Sequence, residues 1–419
     1  MHRLIVLLGM TLLLAGCQTD LPLAGLKAQY GAPPSRYLPM DGVEVHWRDE
    51  GLGSKPLEDS PTLAVGTSTA VPTANAPSPT AAASAATPTA TPTATPSATS
   101  TAAFTAASTA NAGMPSGASA FPPPAKPAAV ATPDDAPTIL LLHGTASSLH
   151  TWEGWVKAMS PSWRVVRLDL PGFGLTGPYP SGDYSPAATV DFLERFADAA
   201  GLKRFVIAGS SLGGQAAWRY ALRRPDRISG LILIDATGYP QNLSTSTAVA
   251  LQIASMPVIS ELMRWAPIDG MVSRSLKDVY VDDTLVTPEL VSRYSDLMRR
   301  PGNRVALGDR ARNAPPSTGW EQLRQLKVPT LIMWGGQDTW VPLSMGERFK
   351  IDIADSELIV YPNLGHLPME EDPVTTARDA LDFLRRRVQS SASTGSPTSP
   401  ASSAGSMQKA PVPTTPAQK

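Results

Sequence analysis

The sequence predicts an α/β fold, a mostly parallel central sheet with helices on both faces and a helical cap, and three observations lead there. Six apolar runs read as strands: Thr138–Leu142, Val165–Leu170, Phe205–Ala208, Gly230–Ile234, Thr330–Met333 and Leu358–Tyr361. Amphipathic stretches such as Pro186–Ala200 and Gln215–Arg224 alternate with them, the pattern of βαβ units. The runs are continuously apolar, as strands are when helices cover both faces of a sheet. Between Ala236 and Leu326 the strand pattern gives way to helical ones, so the cap is expected over about residues 239–326.

The first element is a targeting segment. His2 and Arg3 precede an apolar stretch from Leu4 to Leu14, and small residues follow. A charged start, a short apolar core and small residues before the cut make a secretory signal over residues 1–16, too short to span a bilayer securely. Leu14-Ala15-Gly16-Cys17 also resembles the lipobox of bacterial lipoproteins, which implies cleavage before Cys17 and acyl chains on that residue. The alternative is an ordinary signal in which Cys17 has no role. Acyl chains would anchor the protein to a membrane of the cell envelope without a transmembrane helix. Gln18, where Asp would follow the cysteine in the inner-membrane class, implies outer-membrane sorting in a two-membrane host. Cys17 is the one cysteine, so an intramolecular disulfide is impossible.

Next comes a hairpin within residues 37–51. Arg36–Met40 and Val43–Arg48 alternate like paired strands, with Asp41-Gly42 as the turn. From Ser60 to Ala125 there is no Asp, Glu, Lys or Arg, and Ala, Thr, Pro and Ser dominate. Such a segment cannot offset its ordering entropy, so residues 52–136 are expected to be a disordered insertion inside one domain. The competing expectation is a stalk over residues 18–136, hairpin included. The tail over 389–419 has the same chemistry. The rest suits one large α/β domain with its body over 137–388.

A net charge of −1 gives no electrostatic footprint for DNA or RNA. Arg223-Arg224 and Arg385-Arg386-Arg387 fall late in expected helices, where cations favour the helix dipole. Composition sets no oligomeric state.

The strongest chemical motif is Gly209-Ser210-Ser211-Leu212-Gly213, after one strand and before a helix. In that context a G-x-S-x-G pattern is a nucleophile elbow, in which flanking glycines allow a tight turn that presents Ser211. A serine hydroxyl needs an adjacent base, usually an imidazole oriented by a carboxylate. Of five histidines, His2 leaves with the signal, His46 sits in the hairpin as an expected half-exposed strand residue, and His143 and His150 flank the first loop. His366, after the last strand in Pro362-Asn363-Leu364-Gly365-His366, is the base that remains. The acid is expected at Asp338, in Gly335-Gly336-Gln337-Asp338 at a sheet edge, with Asp235 as the rival after the preceding strand. Backbone N–H groups of Thr145 and Leu212 are the candidate oxyanion donors. His143 is then expected to shape its turn, and His150 to start the next helix.

With these motifs the chain resembles the α/β-hydrolase superfamily in its "hydrolase 1" form, from about Tyr37 to Val388 without the insertion. The matching segments, in family order, are HGTASSLHTW, DLPGFGLTGP, GSSLGGQAAW, GGQDTWVP and NLGHLPMEEDP. The long insertion and the lipoprotein-like N-terminus depart from that family, and neither touches the triad. The resemblance implies that the loop at Asp169–Gly174 braces the site and that the helical segment is a lid. Met256, Met263, Trp265, Met271 and Met298 lie in it; flexible methionines suit apolar ligands, and packing of the lid onto the core is the equal alternative for each of these residues. The expected function is a serine hydrolase acting on an acyl ester or thioester of an apolar small molecule. Alternatives are carbon–carbon bond hydrolysis, cofactor-free haloperoxidase-like chemistry, and a membrane-tethered binding protein without catalysis. Haloalkane dehalogenases and epoxide hydrolases carry Asp where this chain has Ser211. Paired-histidine, paired-cysteine and dinucleotide-loop signatures are absent, so no metal or cofactor is expected.

Overall fold

Strands that are apolar on both faces must be covered on both, and the chain does this with one sheet between two helical layers. The computed structural model describes residues 19–55, 136–240, 267–312 and 318–390. Eight strands are β1 (Ser35–Met40), β2 (Val43–Gly51), β3 (Thr138–Leu142), β4 (Arg164–Leu168), β5 (Phe205–Ser210), β6 (Ile228–Ile234), β7 (Thr330–Gly335) and β8 (Ser356–Tyr361). They form one sheet in the order β1-β2-β4-β3-β5-β6-β7-β8. The hairpin β1–β2 is antiparallel and joins β4 antiparallel, while β4 to β8 run parallel.

The described α-helices are α1 (Leu23–Tyr30), α2 (Glu153–Met159), α3 (Pro186–Ala199), α4 (Leu212–Arg223), α5 (Asp269–Val279), α6 (Pro288–Met298), α7 (Asn303–Arg312), α8 (Leu343–Asp352), α9 (Pro368–Glu371) and α10 (Pro373–Leu384). Successive strand residues point to opposite faces, so each face builds its own core. Leu140, Ile207, Leu233 and Ile332 pack with Phe192 and Phe196 of α3, Trp218 of α4 and Phe349 of α8. Ile139, Val206, Ile232 and Met333 pack with Trp155 of α2 and Phe383 of α10. Helix starts follow local chemistry: Ser185, Thr287 and Asp372 each cap a backbone N–H, and proline follows each in the first turn.

The hairpin turns at Asp41 and Gly42, both at positive φ, as a two-residue hairpin turn requires. Residues 19–55 therefore form α1 and two strands of the main sheet, unlike the stalk alternative. Residues 1–18, Cys17 among them, residues 56–135 and residues 391–419 lie outside the described set, as do Met256, Met263 and Trp265. No helix among the described residues is long and apolar enough to cross a membrane.

Two expectations need correction. His46 is fully buried rather than half-exposed, because its ring lies between Asp169 and Ser35 at 2.7 and 2.8 Å and stacks on Tyr37. The helix expected near Gln215 starts at Leu212, since Gly213 is drawn tightly into the turn. A Cβ on Gly213 would stand 2.3 Å from the Leu142 carbonyl oxygen.

Candidate active site

The carboxyl ends of β5, β6, β7 and β8 converge beneath the cap helices. Ser211 follows β5 at φ 53° and ψ −116°, a left-handed conformation that an L-residue adopts only when its surroundings enforce it. Its N–H donates to the Ile234 carbonyl at 3.0 Å, and its own carbonyl accepts from Gln215 and Thr237, each at 3.1 Å. Gly209 has no room for a side chain, since a Cβ would lie 2.2 Å from the Gly213 oxygen. The elbow is thus tied to β6 and to the first turn of α4.

Asp338 and His366 meet as the motif order predicts. His366 Nδ1 lies 2.7 Å from Asp338 Oδ2, and both residues are buried. Asp338 Oδ1 accepts from the N–H groups of Trp340 and Val341 at 2.7 and 2.9 Å. The His366 loop is pinned by the cap and by α9: His366 N–H donates to the Val279 carbonyl at the end of α5, and Gly365 N–H donates to Glu371 of α9. Trp340 stacks on the imidazole, with centroids 5.9 Å apart. Among the described residues no hydrogen bond joins Ser211 Oγ to His366, although both line one cavity.

That cavity has a volume of about 360 Å³. Ile268, Met271, Val272, Leu276, Met298 and Leu307 make most of its wall apolar, and Thr145 sits at its edge with Ser211 and His366. A Cβ on Gly144 would press against Ser211 Cβ at 3.1 Å, so the first loop abuts the nucleophile. The N–H groups of Thr145 and Leu212 donate to no acceptor among the described residues. The Leu212 side chain turns to the core rather than to the cavity. A more open groove of about 780 Å³ lies elsewhere, lined by Tyr30, His150, Glu153 and Arg293, and holds none of the candidate triad.

His143 is wholly buried, with Nδ1 against the Gly144 carbonyl at 2.7 Å and Nε2 accepting from Leu170 N–H at 2.9 Å. Burial pushes its pKa below the ordinary histidine value, so both nitrogens are committed to the fold of the turn. Burial also opposes the charge of Asp169, but His46 and the Leu149 N–H hold that carboxyl well below the ordinary range. Through Leu149 and Leu175 at 2.7 Å each, Asp169 braces the loops beside the site. His150 belongs to a short 3-10 turn, Leu149–Trp152, that leads into α2.

Asp235, the rival acid, follows β6 and is completely buried beside Asp338. Its pKa stands well above the carboxylate range, first through burial and then through the adjacent Asp338 charge. Among the described residues, Asp235, Asp338 and His366 are the one histidine and carboxylate grouping tight enough for a metal. Asp338 and His366 of this group already share a hydrogen bond. Two residues of the site escape sequence reasoning. Trp340, two positions beyond the acid, falls in the GGQDTWVP segment without a role assigned there, and Arg304, which lines the cavity, pairs at 2.7 Å with distant Asp20.

Comparison with known proteins agrees with this fold. The model of the alpha/beta hydrolase fold family matches residues 137–373. A 2-hydroxy-6-oxononadienedioate/2-hydroxy-6-oxononatrienedioate hydrolase of Comamonas testosteroni is 26% identical over 255 residues, covering 59% of this chain and 87% of that one. A thermophilic esterase from Thermogutta terrifontis superposes with a TM-score of 0.52 at 25% identity, over 60% of this chain and 90% of that one. A meta-cleavage product hydrolase from Pseudomonas fluorescens superposes equally well, with a TM-score of 0.52 at 25% identity, over 60% of this chain and 91% of that one. The chain belongs to the α/β-hydrolase family and is an enzyme of that family.

Proposed function

We propose that this enzyme is a serine hydrolase that cleaves an acyl ester or thioester of an apolar small molecule through an acyl-enzyme on Ser211. The apolar cavity that ends at Ser211 and His366 carries the reading. Ser211 Oγ attacks the acyl carbonyl while His366 takes its proton, and Asp338 holds the resulting imidazolium through Nδ1. The N–H groups of Thr145 and Leu212 receive the oxyanion, each donor worth about 3 kcal/mol in the transition state. His366 then returns its proton to the leaving group, and water cleaves the acyl-enzyme by the same steps in reverse. The Ser211–His366 contact closes when substrate is bound, as is usual for such pairs.

Carbon–carbon bond hydrolysis is the second reading, and the names of several relatives favour it. A dienoate substrate brings a carboxylate, which needs a cationic partner. Arg304 of the cavity wall is held by Asp20, and its other wall residues are chiefly apolar, which supports the ester reading. Assays of the full chain in detergent with graded p-nitrophenyl esters and with a 2-hydroxy-6-oxo-dienoate separate the two. Turnover of the esters supports the first; turnover of the dienoate alone replaces it with the second.

The reading extends to location. Cys17 is the lipid attachment site, and the protein sits on an envelope membrane, the outer one in a two-membrane host. The Leu14-Ala15-Gly16-Cys17 motif supports this, and just beyond it Leu21 N–H donates to the Arg299 carbonyl at 2.8 Å and the Thr19 carbonyl accepts from Arg299 Nε, so the chain after the cysteine meets the cap directly. Palmitate labelling that persists in Cys17→Ser overturns it. The domain then has its hairpin at 37–51, an insertion over 52–136 and a tail over 389–419, and proteolysis near residue 90 should leave Tyr37–Gly51 bound to the core.

A further inference from the structure

Asp235 is the one buried carboxyl at the site that the mechanism leaves unused. It follows β6 at φ 43°, a left-handed conformation that an aspartate adopts sparingly. Its N–H donates to the Met333 carbonyl at 3.1 Å, which keeps the residue in register with β7. Oδ1 accepts the Gly335 N–H at 2.9 Å, at the start of the turn that carries Asp338. Oδ2 is sealed from solvent and accepts no hydrogen bond from the described residues, so it is left to donate one. Ligand atoms of Asp235, Asp338 and His366 all lie within 4.8 Å of one another.

Two carboxylates this close, both buried, cannot both be charged without large repulsion. Asp338 already accepts two backbone N–H groups and faces His366, so it is the better anion. The other nearby acid is Glu371, whose charge also disfavours ionisation of Asp235. The proton therefore belongs on Asp235, and the unused oxygen is where it resides.

We propose that Asp235 is a positioning residue for the Asp338–His366 pair. It stays neutral, fixes the Gly335 turn through Oδ1, and offers its carboxyl hydrogen from Oδ2 to the Asp338 carboxylate. That donor moderates the Asp338 charge and holds the carboxylate against His366 Nδ1. The proposal rests on the reading of Ser211, Asp338 and His366 as a triad.

The test uses the full chain and follows the rate at which a fluorophosphonate probe labels the enzyme across pH. This readout needs no knowledge of the natural substrate. Ser211→Ala reports on the triad reading itself, and equal labelling of that variant removes both the reading and this inference. With the triad intact, Asp235→Asn keeps a neutral donor and acceptor. It is expected to slow labelling by about threefold to fivefold while the acidic limb of the pH profile stays in place. Asp235→Val loses the donor, leaves Asp338 a stronger anion, and is expected to raise the acidic limb by about one pH unit with at least a tenfold slower plateau.

A fall of the acidic limb in Asp235→Asn means that a negative charge was removed, and it overturns the proposal. So does a slow Asp235→Val enzyme whose limb is unmoved, which marks a purely structural residue. If Asp235→Val does not fold, thermal melts of Asp235→Asn decide. A neutral buried acid contributes stability fully below its unfolded pKa and loses it as pH rises toward the folded value. Asp235→Asn must then gain on the parent between pH 4 and pH 8; a constant difference overturns the proposal.

Discussion

The Arg164 guanidinium of β4 grips the Asp49 carboxylate of β2 with two hydrogen bonds, of 2.9 and 2.8 Å, and both side chains are almost wholly buried. This pair bonds the hairpin that precedes the insertion to the sheet that follows it. Removing one partner leaves an uncompensated buried charge, so Asp49→Ala is expected to lower unfolding stability by about 3–5 kcal/mol in chemical denaturation. A loss below 1 kcal/mol means that the hairpin is a peripheral appendage.

A second, half-exposed network makes a pH prediction. Burial opposes the charge of Glu153, yet hydrogen bonds from His150 and Arg167 and the nearby Arg48 hold its pKa down to about 2. A carboxyl depressed by folding contributes stability above its ordinary value, 4.5, and that contribution is lost as pH falls toward 2. Glu153→Gln should therefore be less stable than the parent at pH 7, with the gap closing between pH 4.5 and 2. The Glu153 side chain is 49% exposed, so the gap at neutral pH should stay within about 1 kcal/mol. Thermal melts across this range check the sign.

The Asp338–His366 contact predicts a kinetic signature. Asp338→Asn keeps the shape but no longer fixes the imidazole tautomer, so kcat should fall by about 10³- to 10⁴-fold with KM little changed. Comparable turnover by Asp338→Asn would transfer the acid's role to Asp235.

The cavity wall predicts chain-length selectivity. Leu307 lines it beside Met298. Leu307→Trp fills space that an acyl chain would use, and a single methylene of misfit is worth about 1–3 kcal/mol. Esters with long acyl chains should lose at least about tenfold in kcat/KM while acetyl esters keep theirs. Equal losses at every length indicate that acyl chains lie elsewhere.

These predictions rest on features of unequal legibility in the sequence. Gly209, Ser211 and Gly213 could be read because a strained elbow imposes its residue types within five positions. Asp338 and His366 each follow a short apolar strand, so position along the chain located both. His46 misled because alternation in β2 describes two faces of a hairpin, while the Asp169 loop, Ser35 and Tyr37 close over its ring. Trp340 over His366, and Asp20 against Arg304, depend on contacts that no local pattern encodes; the second spans 284 positions. Position in the sequence favours Asp338 over Asp235, and in the fold it is Asp338 that meets His366, while burial and the adjacent Asp338 push the Asp235 pKa up.

The most direct test of the central claim is the burst of p-nitrophenol from a p-nitrophenyl ester, measured beside Ser211→Ala and followed by mass analysis of the quenched protein. The account predicts an acyl adduct on the peptide that contains Ser211 and loss of turnover in Ser211→Ala by about 10⁴-fold or more. Turnover that survives in Ser211→Ala, or an acyl group found on another residue, would contradict it.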